Sequence, residues 1–368
     1  MTPMPIERSE YLDRVKKVQK KLDERGYDSF IAFSTSNVRY LTSYFCLAGS
    51  SLLFSEIKDE PVLLIDQDWD LARAKERSPL STITATDNLA KGLKELLKKG
   101  SKQRKIGVFD WQNLPTSIYL TLKKTLPKAD ILDATKIIEN LRMIKSESEI
   151  RCLEKAAEIT SEGATAASEA IAVGKTELDL ATVADIAMKK AGADPSELSF
   201  PPAIGSGLRT VLNVPSPTEK KIEDGDLILM DLGGKYNGYC GDITRAKICG
   251  KPTREQQDLF EVVYRMNRET IKAIRPGMKC SEVHTFSNNI AIEAGYGPYL
   301  QHMTGHQVGL DIHEKPLLLS DDAPLVPGMV HSIEPGLYVP GVGGIRVEDL
   351  VLETETGPKV LTTTSRDL

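Results

Sequence analysis

The sequence lacks any apolar stretch long enough to cross a membrane. No segment approaches eighteen consecutive apolar residues, and the opening MTPMPIERSEYLDRV carries no apolar leader, so we expect a cytoplasmic protein with no membrane partner. It also lacks an excess of basic residues, since 47 Lys and Arg face 52 Asp and Glu. A net charge of −5 argues against a nucleic-acid surface, and we expect no nucleic-acid partner.

Cysteine is scarce and low-complexity sequence is absent. The five cysteines are scattered and form no C-x-x-C pair, which argues against a disulfide framework or a zinc knuckle. A composition of 40% hydrophobic and 27% charged residues is typical of a globular protein and excludes general disorder. Because 368 residues exceed one ordinary core, two domains are expected.

The first third of the chain alternates helix and strand signals and contains no histidine. Residues 7–26 place apolar side chains at helical spacing and end in Gly26, which predicts an amphipathic helix. The short apolar runs DSFIAFS, SSLLFS, PVLLID and KIGVFD predict strands, with helical patterns at about 89–99 and 117–126. We expect residues 1–133 to form an α/β domain that supplies cover, substrate gating or dimer contacts.

Residues 134–368 form the second predicted domain, entered through a linker helix at about 134–150. Within this domain a pattern recurs 103 residues later, and the matched positions are Ala170/Ala273, Ile171/Ile274, Gly174/Gly277, Ala191/Ala294, Gly192/Gly295, Gly225/Gly328, Asp231/Glu334, Gly233/Gly336 and Gly238/Gly341. An internal duplication is the natural cause. It predicts a pseudo-symmetric α+β unit in which each half contributes a pair of carboxylates to a site at the junction.

Four carboxylates lie on apolar strand patterns in these two halves. In the segment DGDLILMDLGG, Asp231 lies at the end of an apolar strand pattern, and Asp242 lies inside the next predicted strand. Glu334 is the repeat partner of Asp231, and Glu348 lies three positions beyond the strict equivalent of Asp242. Taken singly, these acids have ordinary explanations, such as an Asp242–Arg245 ion pair. Together, four buried acids require a cation, a proton or a cluster of donors.

A histidine-rich segment, HMTGHQVGLDIHEKP, supplies the other candidate ligand. His302 and His306 have the spacing of a helical zinc pair, but Gly305 and Gly309 disfavour a helix. Glycine next to His306 allows close backbone approach to a ligand, so we assign His306 as the fifth ligand, with His302 and His313 nearby. His284 and His331 are expected to pack or lie at the surface. Strand alternation would put Arg346 on the same face as Glu348.

One imidazole and four carboxylates, without a thiolate, suit two divalent ions such as Mn, Co, Fe or Zn. A pair of such ions favours hydrolysis of an amide through a bridging hydroxide, with one acidic residue moving the proton.

These segments resemble the pita-bread metallopeptidases, which include prolidase, aminopeptidase P, methionine aminopeptidase and creatinase. The segments that carry the resemblance are MDLGGKYNGYCGDITR, TGHQVGLDIHEKP, HSIEPGLY and GGIRVEDL, and STSNVRYLTSYF resembles the N-terminal domain of the prolidase and creatinase branch. The resemblance implies an α/β N-terminal domain followed by a pita-bread catalytic domain. It also implies a homodimer that acts on proline-containing peptides, most simply as an Xaa-Pro dipeptidase, with two metal ions, Mn or Co before Zn or Fe.

The resemblance also implies a role for each site residue. Asp231 would bind one ion, Asp242 and Glu348 would bridge both, and His306 and Glu334 would bind the other. Glu334 would also shuttle the proton. His302 and His313 would contact substrate and steady the intermediate, and Arg346 would hold the free carboxylate of a dipeptide.

Two positions depart from the family pattern. Asn213 and Val214 stand where a further upstream histidine usually falls, and Gln307 replaces the glycine that usually follows the metal-binding histidine. An aminopeptidase P-like enzyme, a creatinase-like C–N hydrolase and a non-catalytic binding module are therefore alternatives to a dipeptidase. Retention of all five candidate ligands weighs against the binding module.

Overall fold

A computed structural model describes residues 6–46, 49–97 and 104–368 of the chain. Its backbone contacts form two compact units, with the boundary between Arg142 and Met143. This boundary falls inside the segment 134–150 that the sequence assigns to a linker helix. Among the described residues, none of the helices combines the length and the apolar character needed to span a bilayer.

The first unit alternates helices and strands, as the sequence predicts. Its helices are α1 (Arg8–Asp23), α2 (Thr35–Thr42), α3 (Leu71–Arg77), α4 (Leu89–Leu97), α5 (Thr116–Thr125) and α6 (Thr135–Met143, which ends one residue beyond the boundary). Its strands are β1 (Ser29–Ala32), β2 (Ser51–Glu56), β3 (Val62–Ile65), β4 (Thr82–Ala85), β5 (Lys105–Val108) and β6 (Asp130–Asp133). Short 3₁₀ turns cover Asp68–Asp70 and Trp111–Asn113.

The six strands form one mixed sheet in the order β4-β3-β2-β1-β5-β6. The pairs β1–β5, β5–β6 and β3–β4 are parallel, whereas β2 pairs antiparallel with both β1 and β3. The apolar stripe predicted for the first helix is buried on α1. The predicted helix at 89–99 corresponds to α4, and its last two residues lie outside the described part of the chain.

The second unit contains four long helices and twelve strands among its described residues. The helices are α7 (Glu147–Glu169), α8 (Glu177–Lys190), α9 (Arg254–Ala273) and α10 (Cys280–Glu293). Strands β7–β12 are Ala203–Ser206, Leu227–Leu232, Lys235–Tyr236, Tyr239–Cys240, Ile243–Ile248 and Gly305–Gln307. Strands β13–β18 are Glu314–Leu318, Val330–Ile333, Gly336–Val339, Gly343–Arg346, Asp349–Thr354 and Gly357–Val360. Two 3₁₀ turns cover Gly207–Val211 and Gly297–Tyr299.

The predicted duplication is visible in the backbone. Helices α8 and α10 have equal lengths of 14 residues, and their bounds differ by the same 103-residue offset. The antiparallel pair β8–β11 in the first half has its counterpart in the pair β14–β17. Four repeated glycine pairs also share a positive φ, for example Gly225 at 87° and Gly328 at 89°. A left-handed backbone conformation favours glycine, which explains why these positions stand out in both halves.

The sheets of the second unit bring the acid-bearing strands together. Strands β11-β8-β7 form one sheet, β13-β12-β14-β17-β18 form another, and β9–β10 and β15–β16 are hairpins. The two halves meet where the amide of Glu348 donates to the carbonyl of Thr244 at 3.1 Å. Apolar side chains of β8, α9 and β16 pack into a shared core. The carboxylates therefore lie where the two halves join.

Candidate metal centre

Each of the five predicted ligands lies within or directly beside a different strand. Asp231 is the penultimate residue of β8, and His306 is the middle residue of β12. Asp242 comes directly before β11, one residue outside the strand in which the sequence placed it. Glu334 follows β14, and Glu348 lies in a two-residue break between β16 and β17. None of the five is on a helix, in agreement with rejection of a helical His302–His306 pair.

The five side chains converge. Ligand atoms of Asp242, His306 and Glu348 all lie within 4.8 Å of one another, and all three residues are buried. The Nε2 atom of His306 lies 3.2 Å from Glu334 Oε1 and 3.6 Å from Asp242 Oδ2. Asp231 joins the same cluster through Arg346, which donates to Asp231 Oδ2 and to Thr244, the residue that binds Glu348. The structure thus brings together the residues that the sequence singles out, with the geometry of a candidate metal site.

The electrostatics of the cluster are unfavourable without a cation. Burial, together with the charges of neighbouring acids, raises the pKa of Asp242 and of Glu348 well above the ordinary carboxyl range. Burial also raises the pKa of Asp231, although Arg346 opposes this effect. Burial acts in the same direction on Glu334, but its hydrogen bond to His306 and the positive charge of Arg346 outweigh burial and lower the pKa of Glu334 to about 2. A proton or a metal ion must therefore compensate the acids.

His306 is oriented as a metal ligand. Its Nδ1 atom lies 3.1 Å from the carbonyl oxygen of Gln307, so Nδ1 carries the proton and donates it. Nε2 then faces the carboxylates, and either a proton on Nε2 or a metal ion must lie between this nitrogen and the carboxylate oxygens. In addition, Asp231 Oδ1 is buried without a hydrogen-bond partner among the described residues. These observations, and the hard oxygen-rich donor set, fit divalent metal ions.

Neighbouring polar side chains hold the ligands in place. Ser332 accepts a hydrogen bond from the amide of His306 and donates one to Glu334 Oε1. Thr244 donates to Glu348 Oε2 at 2.6 Å. Asn267 on α9 donates to the carbonyls of the residues just before Glu334 and Glu348, at 3.0 and 3.2 Å. Sequence reasoning missed these supports, because a lone Ser, Thr or Asn gives no signal until its tertiary partners are known.

Gly305 explains how β12 reaches the cluster. A side chain at this position would put its Cβ 2.0 Å from the carbonyl oxygen of Ser332. Only glycine permits β12 to approach β14 this closely, and the approach carries His306 toward Glu334. The glycine beside His306 is thus required by strand packing.

Arg346 lies beside the cluster and is almost completely buried. Its Nε atom donates to Thr244 Oγ1 at 2.9 Å, and its Nη2 atom donates to Asp231 Oδ2 at 2.5 Å. Because Thr244 also binds Glu348, Arg346 and Glu348 share the site as predicted, although the strand is broken between them. The role of Arg346 in holding a substrate carboxylate stays a prediction.

The other histidines occupy distinct environments. The ring of His313 lies edge-on to that of His306, with 4.2 Å between the centroids. His302 donates from Nδ1 to the carbonyl of Met303, and its Nε2 lies 2.9 Å from the Tyr338 hydroxyl. Burial lowers the pKa of both His302 and His313. Their substrate contacts stay predictions; the ring of His313 lies next to His306, and that of His302 lies next to Tyr338, which contacts Arg346.

His284 and His331 contact other side chains and are not among the candidate ligands. His284 lies 2.9 Å from Thr304 Oγ1 and 3.0 Å from Asn288 Nδ2. His331 is fully buried beside Glu353, with 3.7 Å between Nδ1 and Oε1. His331 is thus packed in the interior, one of the two roles expected from the sequence.

Gln307, which departs from the family pattern, is completely buried. Its Oε1 atom accepts a 2.6 Å hydrogen bond from Lys145, whose ammonium also lies 3.3 Å from Glu314. Gln307 therefore supplies a new polar contact behind the metal-ligand strand.

The ordinary alternative for Asp242 is wrong. Arg245 does not pair with Asp242 but donates to Asp349 Oδ1 at 2.8 Å, and both partners are buried. Three positions of separation place Asp242 and Arg245 on opposite faces of an extended chain. Residues 362–366 complete this buried ion pair: Thr362 and Arg366 donate to Asp349, and Arg245 donates to the carbonyl of Thr364.

Comparisons with known proteins agree with this architecture. Residues 151–355 match the model of metallopeptidase family M24, and residues 14–144 match the creatinase/prolidase N-terminal domain. The chain is 33% identical to an Xaa-Pro dipeptidase of Pyrococcus horikoshii over 97% of this chain and 98% of that protein. It is 34% identical to an Xaa-Pro dipeptidase of Pyrococcus furiosus over 97% and 99% of the two chains.

Solved structures give the same result. The crystal structure of the prolidase from P. horikoshii superposes with a TM-score of 0.89 over 97% of this chain and 99% of that one, at 33% identity. An X-Pro aminopeptidase from Thermotoga maritima superposes with a TM-score of 0.88 over 96% and 98% of the chains, at 25% identity. The chain has a creatinase-type N-terminal domain and a pita-bread catalytic domain, and it belongs to metallopeptidase family M24.

Proposed function

We propose that this metallopeptidase holds two divalent metal ions and hydrolyses Xaa-Pro peptide bonds, with dipeptides as its principal substrates. The observation that carries the proposal is the convergence of Asp242, Glu334 and Glu348 on the Nε2 atom of His306, with Asp231 held next to them by Arg346. The names of two relatives at 33% and 34% identity support the Xaa-Pro dipeptide as the substrate. The fold similarity to an X-Pro aminopeptidase keeps longer peptides as the second candidate.

Each ligand has a proposed role. Asp231 would hold one ion, Asp242 and Glu348 both ions, and His306 and Glu334 the other. Bound ions of this type supply a nucleophilic hydroxide and polarise the carbonyl under attack. We propose Mn or Co as the ions, with Zn or Fe as alternatives.

The protein residues would orient the substrate and move protons. Glu334 and Asp231 are half-buried, whereas Asp242 and Glu348 are buried. Because Arg346 already binds Asp231, Glu334 is the acid best placed to exchange a proton with substrate. His302 and His313 would contact the substrate and steady the oxyanion. The predicted homodimer and cytoplasmic location remain predictions.

A substrate panel tests the proposal. Protein reconstituted with Mn, Co or Zn should contain about two ions per chain, judged from its ligand set, and should cleave Ala-Pro faster than Ala-Pro-Ala. Cleavage of Ala-Pro-Ala alone would favour the aminopeptidase. Activity on creatine alone would discard the peptidase, and no metal uptake would favour a binding module.

A matched pair of variants tests the role of Glu334. Glu334→Gln keeps the shape of the side chain but cannot exchange a proton, so turnover should fall by at least about 100-fold. Glu261→Gln, on the exposed surface of α9, is the control and should retain parental activity. Equal activity of the two variants would contradict the assignment.

A further inference from the structure

Asn213 makes contacts on the side of Arg346 opposite the metal ligands. It lies two residues beyond the 3₁₀ turn Gly207–Val211. Its backbone oxygen and its side-chain Oδ1 each accept a hydrogen bond from Arg346 Nη1 at 2.8 Å. Tyr338, on β15, brings its hydroxyl within 2.7 Å of the same Nη1 atom and 2.9 Å of Asn213 Oδ1. Asn213 and Tyr338 together therefore enclose one end of the guanidinium.

The donors of Arg346 are almost fully used inside the protein. Nε donates to Thr244, Nη2 donates to Asp231, and Nη1 faces three acceptor atoms with only two N–H groups. At least four of the five N–H groups are thus engaged. The whole residue is only 2% exposed. Little of this guanidinium is left to bind the carboxylate of a substrate.

The planar shape of the guanidinium links its two ends. A rotation that moved Nη1 would also move Nη2, because both nitrogens lie in one rigid plane. Asn213 carries no charge, so it fixes the direction of Arg346 without altering the net charge of the site. A fixed Nη2 in turn holds one oxygen of Asp231, leaving the unpartnered Oδ1 for another partner.

We propose that Asn213 is a positioning residue that, with Tyr338, locks Arg346 onto Asp231 and thereby withholds Arg346 from the C-terminal carboxylate of the substrate. The inference rests on the proposed role of Asp231 as a metal ligand. It implies that preference for dipeptides over longer peptides is not set by Arg346. Dipeptide and tripeptide should respond equally to a change at Asn213.

The direct test is Asn213→Ala, which removes Oδ1 and leaves the backbone contact. Residues that orient a metal ligand typically change metal affinity 10–100-fold, so Mn affinity, measured by competition with a fluorescent chelator, should fall by about that factor. The kcat for Ala-Pro and for Ala-Pro-Ala should fall by a common factor at saturating Mn, with KM unchanged. Asn213→Asp preserves the acceptor oxygen and should restore Mn affinity to within a few-fold of the parent.

The controls separate this effect from general damage. Leu208→Ala changes an exposed side chain of the same 3₁₀ turn and should leave Mn affinity and activity at parental values. If Asn213→Ala fails to fold, Tyr338→Phe removes the hydroxyl contact to Arg346 instead and should lower Mn affinity in the same way. Folding of each variant is checked by circular dichroism.

Two results would overturn the inference. The first is unchanged Mn affinity in folded Asn213→Ala. The second is a lower KM of Asn213→Ala for Ala-Pro but not for Ala-Pro-Ala, which would mean that the released Arg346 binds the carboxylate of a dipeptide. Parent protein that binds Mn but cleaves neither peptide refutes the proposed activity, and the Mn titration still decides the role of Asn213. Parent protein that binds no Mn refutes both.

Discussion

Glu353 and His331 form a buried pair that should shape the pH dependence of stability. Both are almost completely buried, and none of their side-chain nitrogens or carboxylate oxygens has a hydrogen-bond partner among the described residues. Burial raises the pKa of Glu353 to about 7. Burial, reinforced by the positive charges of Lys145 and His306, lowers the pKa of His331 to about 3. Each group is thus held in its neutral form near pH 6.

The two groups act on stability in opposite directions. The folded-state pKa of Glu353 lies above its ordinary value of 4.5, so its contribution is full below about pH 4.5 and is lost as the pH rises through about 7. The folded-state pKa of His331 lies below its ordinary 6.5, so its contribution is full above about pH 6.5 and is lost as the pH falls toward 3. Between pH 4.5 and 6.5 the two groups change the free energy of unfolding in opposite directions, so their effects offset each other.

Glu353→Gln removes the contribution of Glu353 to the pH dependence of the free energy of unfolding. Gln cannot ionise, so the free energy of unfolding of the variant, relative to the parent, should rise by about 3 kcal/mol between pH 4.5 and 7.5, from about 1.4 kcal/mol per pKa unit. Urea unfolding at one-unit pH intervals measures this difference. Glu355→Gln, at an exposed position on the same segment, is the control and should give a profile parallel to the parent. Parallel curves for Glu353→Gln and the parent would refute the reasoning.

Three further substitutions test the scaffold of the site. Asp349→Ala leaves the buried Arg245 without its carboxylate and should lower the free energy of unfolding by about 3–5 kcal/mol in urea titrations. Asn267→Ala removes the amide that donates to two carbonyls next to candidate ligands, and Mn affinity should weaken about 10–100-fold in a chelator competition. Gly305→Ala forces a Cβ against the carbonyl of Ser332, so the midpoint of thermal unfolding should drop measurably. Parental values would contradict each argument.

Much of the fold and the ligand set follows from patterns that are local in sequence. The apolar spacing of α1 and the paired glycines of the duplication reflect helix periodicity and backbone conformation, which each segment determines largely by itself. Asp231 and Glu334 stood out because a duplicated position carried an acid twice. The duplication therefore predicted that both lie at one junction, before any contact was known.

Other features depend on contacts between distant segments. Strands β4 and β6 are each four residues long; β4 exposes alternate residues and β6 exposes three of its four, so neither gave an apolar run. Asn213 contacts Arg346, which lies 133 positions later, and no local sequence pattern predicts such a pair. The break between β16 and β17 likewise appears only when the register of both strands is known. Arg346 and Glu348 still lie on the same side of the chain, as strand alternation predicted.

Residues 362–366 have a practical consequence for anyone who handles this enzyme. The Thr362 hydroxyl and the Arg366 guanidinium donate to Asp349, the neighbour of Glu348. The Thr364 carbonyl accepts from Arg245, which also binds Asp349. Removing residues 362–366 by proteolysis or a short expression boundary would take these contacts away from Asp349 and loosen the proposed metal ligand Glu348 beside it.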